Sequence, residues 1–198
     1  MLAACDMAVE LIKRGETTHF FPKGHSMSPL IRPYEEVLVT GVAPEDLCVG
    51  DIVVVDVKSG RLVIHRLTRL KLVKGALTAW TKGDGGLRWD EPVDASACVG
   101  RVTGVIRKAK RYINFDTPCW RMANFLAAQF CLLQTVFLRI PRFGVYTHRN
   151  RRNVLQRFWL HVAKIPFRFF IHICLWVDRL QNLFSKKQNE KNTHREGK

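Results

Sequence analysis

The feature that most constrains the fold is a series of short apolar runs between residues 20 and 108. Five of these runs are rich in Val, Ile, Leu and Thr, namely EEVLVTG, DIVVVDV, RLVIHRL, ALTAW and ACVGRVTGVI. Turn-forming residues separate them, for example KSG at 58–60 and GDGG at 83–86. No long helical pattern lies between the runs, which favours antiparallel pairing. We therefore predict a mainly β domain, coiled or barrel-like, over residues 20–116.

Helical patterns flank this β region on both sides. An amphipathic helix is expected over about residues 3–14, within an N-terminal segment 1–19, and Gly15 ends it. Asp6 and Glu10 interrupt its apolar stretch, so we do not expect a cleavable signal peptide. Beyond Pro118 the period becomes helical over 119–138 and 153–182, which predicts an α-helical C-terminal extension over 117–182. The polar stretch 183–198 has few apolar residues and is expected to be disordered.

Charge divides the chain into two unlike halves. The formal net charge is +15, yet residues 1–99 carry 12 Lys and Arg against 13 Asp and Glu. Residues 100–198 carry 20 basic and 4 acidic residues, so nearly all the excess lies there. Such asymmetry indicates a polyanionic partner, either nucleic acid or an anionic membrane surface.

The arrangement of the basic residues favours the membrane surface. Six of them recur at helical spacing along one stripe, and the other faces are aromatic or aliphatic: Arg157, His161, Lys164, Arg168, His172 and Arg179. This pattern is typical of a helix lying in the headgroup region, with packing on the β domain or on a second copy as the alternative. Nucleic-acid binding is disfavoured because the aromatic residues merge into one apolar face. The uncharged segment 122–138 is at the short limit for a span, so we expect it to be interfacial or re-entrant.

Six scattered cysteines, without a C-x-x-C pair, give no metal-binding spacing. We expect a reducing compartment and a location on the cytoplasmic side of a membrane, peripheral or interfacial.

Three short motifs in the β region contain residue types that could form a catalytic centre. They are GHSM at 24–27, VIHR at 63–66 and KGDGGLRWD at 82–90. Serine is a poor nucleophile without an adjacent general base, and His65 is the obvious base for Ser26. A carboxylate that fixes the imidazole tautomer would complete the group, with Asp84 and Asp90 as the candidates. Taken singly, a turn serine, a strand histidine and a turn aspartate each have a simpler structural explanation.

The order of the motifs resembles the signal peptidase superfamily. Along residues 20–108 the chain reads G-x-S-M-x-P, G-D-I-V-V-V, L-V-I-H-R, T-K-G-D-x-x-x-x-x-D and V-G-R-V. It is most similar to the endoplasmic-reticulum-type branch, in which a histidine replaces the lysine base. The resemblance implies that Ser26 is the nucleophile, His65 the general base and Asp90 the charge-relay carboxylate. It also implies that Asp84 is the aspartate of the Lys-Gly-Asp motif, and that the Ser26 N–H serves the oxyanion hole.

We therefore expect a serine endopeptidase that cleaves a peptide or precursor protein near a membrane, without cofactor or metal. The substrate is expected to add as a strand to a sheet edge and to be cut after a small residue. The alternatives are a LexA-like self-cleaving regulatory protease and a catalytically silent membrane-binding scaffold protein. All four site candidates precede residue 116, so we expect a chain ending there to be soluble and active.

Overall fold

An antiparallel sheet of eight strands lies at the centre of the molecule. The computed structural model describes residues 2–57, 61–86, 88–107, 111–139, 165 and 169–179, except the side chains of 2–5 and 134–139. The strands are β1 Thr18–Phe20, β2 Glu36–Gly41, β3 Ile52–Val57, β4 Arg61–Val73, β5 Ala76–Lys82, β6 Val93–Asp94, β7 Cys98–Arg107 and β8 Arg111–Asn114. The helices are α1 Leu2–Lys13, α2 Pro118–Arg139 and α3, residues 169–179. The predicted fold class, mainly β with a helical extension, is confirmed.

The sheet order is β1-β2-β7-β3-β4-β5-β6, with β8 added to β7. Strand β3 is central, and its alternate side chains enter two separate apolar clusters because successive strand residues point to opposite faces. Ile52 and Val54 belong to the larger cluster, whereas Val53 and Val55 belong to the smaller one. Burial on both faces explains the unbroken apolar run IVVV in this strand.

Helix α2 packs on the face that carries the larger cluster. It begins at Pro118 because proline suits the first helical turn and the preceding Thr117 Oγ1 accepts a hydrogen bond from Trp120 N at 3.4 Å. Its side chains in that cluster are Trp120, Ala123, Ala127 and Cys131. A Cβ atom at Gly50, whose φ is +107°, would lie 2.7 Å from the backbone nitrogen of Phe125. Only glycine therefore allows the helix to approach the sheet this closely.

Helix α3 joins the same core. Ile171 and Leu175 are buried in the larger cluster, although more than a hundred residues separate them from the central strand β3. Asp178 anchors the helix, because its two carboxylate oxygens accept hydrogen bonds from Trp120 Nε1 at 3.0 Å and from Arg111 Nη2 at 2.7 Å. The helical region is thus attached to the β domain by apolar packing and by charged hydrogen bonds.

This packing argues against the expectation that a chain ending near residue 116 would be soluble and active. Such a chain would lose the α2 and α3 side chains that cover one face of the sheet, and the exposed face would favour aggregation. The linker 141–152, the first four members of the basic stripe (Arg157, His161, Lys164, Arg168) and the tail 183–198 lie outside the described residues.

Within the described ranges, no helix combines the length and the apolar character needed to cross a bilayer.

Burial raises the pKa of the Cys98 thiol to about 11, which keeps this buried cysteine protonated and unreactive.

Candidate active site

Strand β4 positions the candidate base. His65 pairs with Val53 of β3, and Arg66 pairs with Ile52, so the two adjacent side chains point to opposite faces of the sheet. Arg66 is completely buried beneath α2, whereas the His65 side chain keeps 13% of its surface exposed. The strand therefore holds the imidazole at an accessible position on a rigid backbone.

Asp90 fixes the orientation of this imidazole. His65 Nδ1 lies 2.5 Å from Asp90 Oδ2, and the Thr81 hydroxyl donates a second hydrogen bond to the same oxygen at 2.7 Å. The backbone of Asp90 is held as well, because its N–H donates to Thr81 O at 3.1 Å. An ionised carboxylate can only accept hydrogen bonds, so this contact places the proton on Nδ1 and leaves Nε2 with its lone pair.

The turn that carries Ser26 is anchored at the serine itself and at the residue that follows it. Met27 is buried in the larger cluster, and its carbonyl accepts a hydrogen bond from Ile31 N at 3.0 Å. The Ser26 carbonyl accepts one from Gly85 N at 2.6 Å, which ties the turn to the loop following β5. The Ser26 side chain itself lies at the surface. The chain thus fixes the serine backbone while its hydroxyl remains open to a substrate.

Gly83 is the point at which the serine and the histidine come together. A Cβ atom built on Gly83 would lie 3.0 Å from Ser26 Cβ and 3.1 Å from His65 Nε2. Ser26 Cβ and His65 Nε2 therefore both lie next to Gly83, which has no side chain to separate them. Nε2 is the imidazole nitrogen on the side of Ser26. Among the described residues, the hydrogen bond of the His65 side chain goes to Asp90, and none joins it to Ser26 Oγ.

Asp84 has a different environment, although it lies in the same loop. Its carboxylate receives two hydrogen bonds from the Arg66 guanidinium, Nε to Oδ1 at 2.8 Å and Nη2 to Oδ2 at 2.7 Å, and both side chains are fully buried. Burial acts to lower the pKa of Arg66, but the charge and hydrogen bonds of Asp84 outweigh it and raise that pKa above its ordinary value. Arg66 Nη1 also donates to Gly50 O at 3.0 Å and to Asn124 Oδ1 at 3.0 Å. Asp84 therefore links the site loop to β4 and α2.

Sequence reasoning selected Ser26, His65, Asp84 and Asp90 but missed the residues that hold them. Arg66 is adjacent to His65 in the sequence, yet a strand arginine is usually exposed and gave no signal of burial. Thr81 and Gly83 read as ordinary strand and turn residues. Lys82, beside them, is completely buried, with its Nζ 3.5 Å from Gly83 O and 3.7 Å from Cys131 Sγ. A local sign existed only for Gly83, because glycine often marks a close backbone approach.

Comparison with protein-family models, with curated proteins and with solved structures finds no match. In the described part of the chain, no three His, Cys, Asp or Glu side chains are grouped as a metal site.

The two aspartates are expected to respond differently to substitution by asparagine. Asp84→Asn leaves the buried Arg66 without its counter-charge and should cost about 3–5 kcal/mol of unfolding free energy. Asp90→Asn should change that free energy by less than about 1 kcal/mol, because the Asp90 side chain is 36% exposed. Its effect should fall on peptide cleavage, where loss of the orienting carboxylate can cost about 10⁴-fold.

Urea denaturation and cleavage assays on both variants separate these outcomes. Our assignment is reversed if Asp84→Asn remains as stable as the unmodified chain but inactive, while Asp90→Asn unfolds more readily and retains its rate.

Proposed function

We propose that this chain is a serine endopeptidase related to signal peptidases. In it, Ser26 is the nucleophile, His65 the general base and Asp90 the residue that orients the base. The observation that carries the proposal is the arrangement around Gly83. Asp90 binds one nitrogen of His65, and the other nitrogen and the Ser26 Cβ flank the same glycine. Nucleophile, base and carboxylate in this order are the parts that acyl transfer needs.

The proposed reaction follows from these positions. Ser26 Oγ attacks the scissile carbonyl while His65 Nε2 accepts the hydroxyl proton, and Asp90 stabilises the imidazolium that forms. His65 then returns the proton to the leaving amine, which is released, and water hydrolyses the acyl-enzyme by the same base. Among the described residues, no acceptor is bonded to the Ser26 N–H, so it is available to stabilise the oxyanion.

The β4 strand offers an edge on which a substrate could lie. Residues 62–65 pair with β3 on one side, while the ladder with β5 starts only at Arg66 and Lys82. Within the described strands, nothing pairs with the second edge of residues 62–65. A peptide added there as an antiparallel strand would run directly past His65, which supports the proposal of an extended substrate.

Exposed apolar side chains support a location at a membrane surface. Helix α2 has one face in the core, and its other face exposes Met122, Phe125, Leu126 and Leu133, as α3 exposes Phe169, Ile173 and Trp176. Apolar helix faces next to basic residues are typical of interfacial binding. The same faces would also serve a catalytically silent membrane-binding protein, so cleavage must be measured directly.

The decisive experiment is to incubate the full-length protein with a mixture of peptides of diverse sequence and to identify new termini by mass spectrometry. We expect cleavage after small residues, since the proposed relationship implies a small binding pocket before the cut. A parallel incubation with the Ser26→Ala variant shows which cuts come from contaminating proteases. If no cut depends on Ser26, with or without anionic vesicles, the endopeptidase proposal fails and the silent membrane-binding alternative is favoured.

A further inference from the structure

A pocket of about 450 Å³ lies between the β domain and α3, away from the His65–Asp90 pair. Three sequence-distant segments line it. Arg32 follows the serine turn, Arg107 and Arg111 lie at facing ends of the β7–β8 hairpin, and α3 contributes His172 and Arg179. The two α3 residues are the members of the predicted basic stripe that the structure describes. The pocket therefore gathers cations from both halves of the chain.

The positive charge of this pocket exceeds its negative charge. Arg111 is paired with Asp178 at 2.7 Å, and Glu35 Oε1 lies 3.6 Å from Arg107 Nε. In the described ranges, no carboxylate lies within ion-pairing distance of the Arg32 or Arg179 side chain. Four guanidinium groups thus face two carboxylates. Such an excess attracts an anion.

One buried donor in the pocket lacks a hydrogen bond to any of the described residues. Arg107 Nε has its nearest carboxylate oxygen, Glu35 Oε1, at 3.6 Å, while the same guanidinium donates from Nη2 to Leu30 O at 2.7 Å. Burial lowers the pKa of Arg107; the charge of Glu35 opposes this effect, and the nearby charges of Arg32 and Arg111 add to it. An anion in the pocket would offset the repulsion between Arg107 and these two neighbouring cations. Planar guanidinium groups match the geometry of phosphate oxygens particularly well.

The rim of the pocket is apolar on the side of α3. Ile173 and Trp176 line the pocket and are 44% and 61% exposed, and Phe169 extends the same helix face by one turn with 67% exposed. The spacings of four and three residues place these side chains on one stripe. An exposed indole beside cationic groups is the arrangement found at membrane interfaces, where the headgroup and the acyl region are in contact. A soluble phosphate would use the arginines but would leave this apolar rim uncovered.

We propose that the pocket binds the phosphate headgroup of an anionic phospholipid, with Ile173 and Trp176 entering the adjoining interface. The inference rests on the membrane-surface part of the proposed function and is independent of catalysis. Because Arg107 also holds Leu30, four residues after Ser26, a bound headgroup would keep the serine turn next to the lipid surface. A peptide substrate emerging from the membrane would meet the nucleophile there.

The test uses co-sedimentation of the full-length protein with vesicles of phosphatidylcholine alone or of phosphatidylcholine and phosphatidylglycerol in equal parts. The variant Arg32→Gln/Arg179→Gln removes the two pocket arginines that have no carboxylate partner among the described residues. It should bind the anionic vesicles about tenfold or more weakly than the unmodified chain, since each cation at the surface contributes on the order of 1 kcal/mol. The matched control Arg14→Gln/Lys71→Gln removes the same net charge from exposed sites outside the pocket and should bind nearly as well as the unmodified chain.

Each result has one interpretation, provided that the thermal midpoints show all variants to be folded. Equal weakening of the pocket variant and the control overturns the pocket and leaves diffuse charge attraction. Failure of the unmodified chain to sediment with anionic vesicles overturns the membrane-surface proposal itself. A third result is that the unmodified chain does not bind vesicles, while inorganic phosphate or an acidic peptide raises its thermal midpoint and leaves that of Arg32→Gln/Arg179→Gln unchanged. This result would assign the pocket to a soluble anion or to a protein partner.

Discussion

Replacing Ser26 with alanine is expected to abolish peptide cleavage, with a loss in kcat on the order of 10⁶-fold. The variant removes the hydroxyl that we propose forms the acyl-enzyme, so the remaining His65–Asp90 pair would have no nucleophile to activate. Its unfolding free energy should change by less than about 1 kcal/mol, because the Ser26 side chain is exposed and the turn is held by backbone hydrogen bonds. Initial rates on a peptide selected from the library, together with urea denaturation, measure both quantities.

Ser28 provides a matched control for this experiment. It lies in the same turn, its backbone N–H donates to His25 O at 3.1 Å, and none of the described residues bonds to its hydroxyl. Ser28→Ala should therefore retain most of the cleavage rate. Full activity of Ser26→Ala, at a cut site that does not appear when the peptide is incubated without the protein, would show that Ser26 is not the nucleophile.

The second large effect is expected for His65→Ala. Without an imidazole to accept the proton of the serine hydroxyl, kcat should fall by about as much as it does for Ser26→Ala, since members of such a group act as a unit. The double variant Ser26→Ala/His65→Ala should consequently be no slower than either single variant. This non-additivity separates a shared catalytic step from two independent contributions, and it is measured as the ratio of residual rates.

His19 allows a sharp control for the loss of a histidine. Its Nδ1 lies 2.7 Å from Glu36 Oε1, so it too belongs to a histidine–carboxylate pair, but it lies on β1 at the edge of the sheet. His19→Ala should leave the rate unchanged, although it too removes a histidine from a histidine–carboxylate pair. A rate that survives His65→Ala but not His19→Ala would place the base elsewhere and contradict the proposed site.

The buried charges explain why one loop can carry two aspartates with separate tasks. Asp84 is removed from solvent and committed to Arg66, while Asp90 stays partly exposed beside His65. The loop is thereby anchored through one carboxylate, and the other can respond to a change of charge on the imidazole. A rigid anchor next to a reactive pair is what precise positioning of a catalytic group requires.

The sequence by itself determined the strand-rich centre, the first helix and the start of α2. These features depend on local patterns: apolar runs with turn residues between them, and a helical period that starts beyond Pro118. The short strands β1, β6 and β8 were not predicted, because strands of two to four residues show no clear alternation. Strand β4 also continues to Val73, past the predicted RLVIHRL, and returns through Lys74 and Gly75, both with positive φ.

Tertiary structure alone decided which residues support the site and where the cations meet. Arg66, Asp84 and Asn124 come from a strand, a loop and a helix, and no local pattern records that they share one buried network. Likewise, Arg32 and Arg107 are brought to Arg179 only because α3 packs on the sheet. The physical reason is that sequence periodicity reports the face that an element buries. The partner against which that face packs is chosen by long-range contacts between elements distant in the chain.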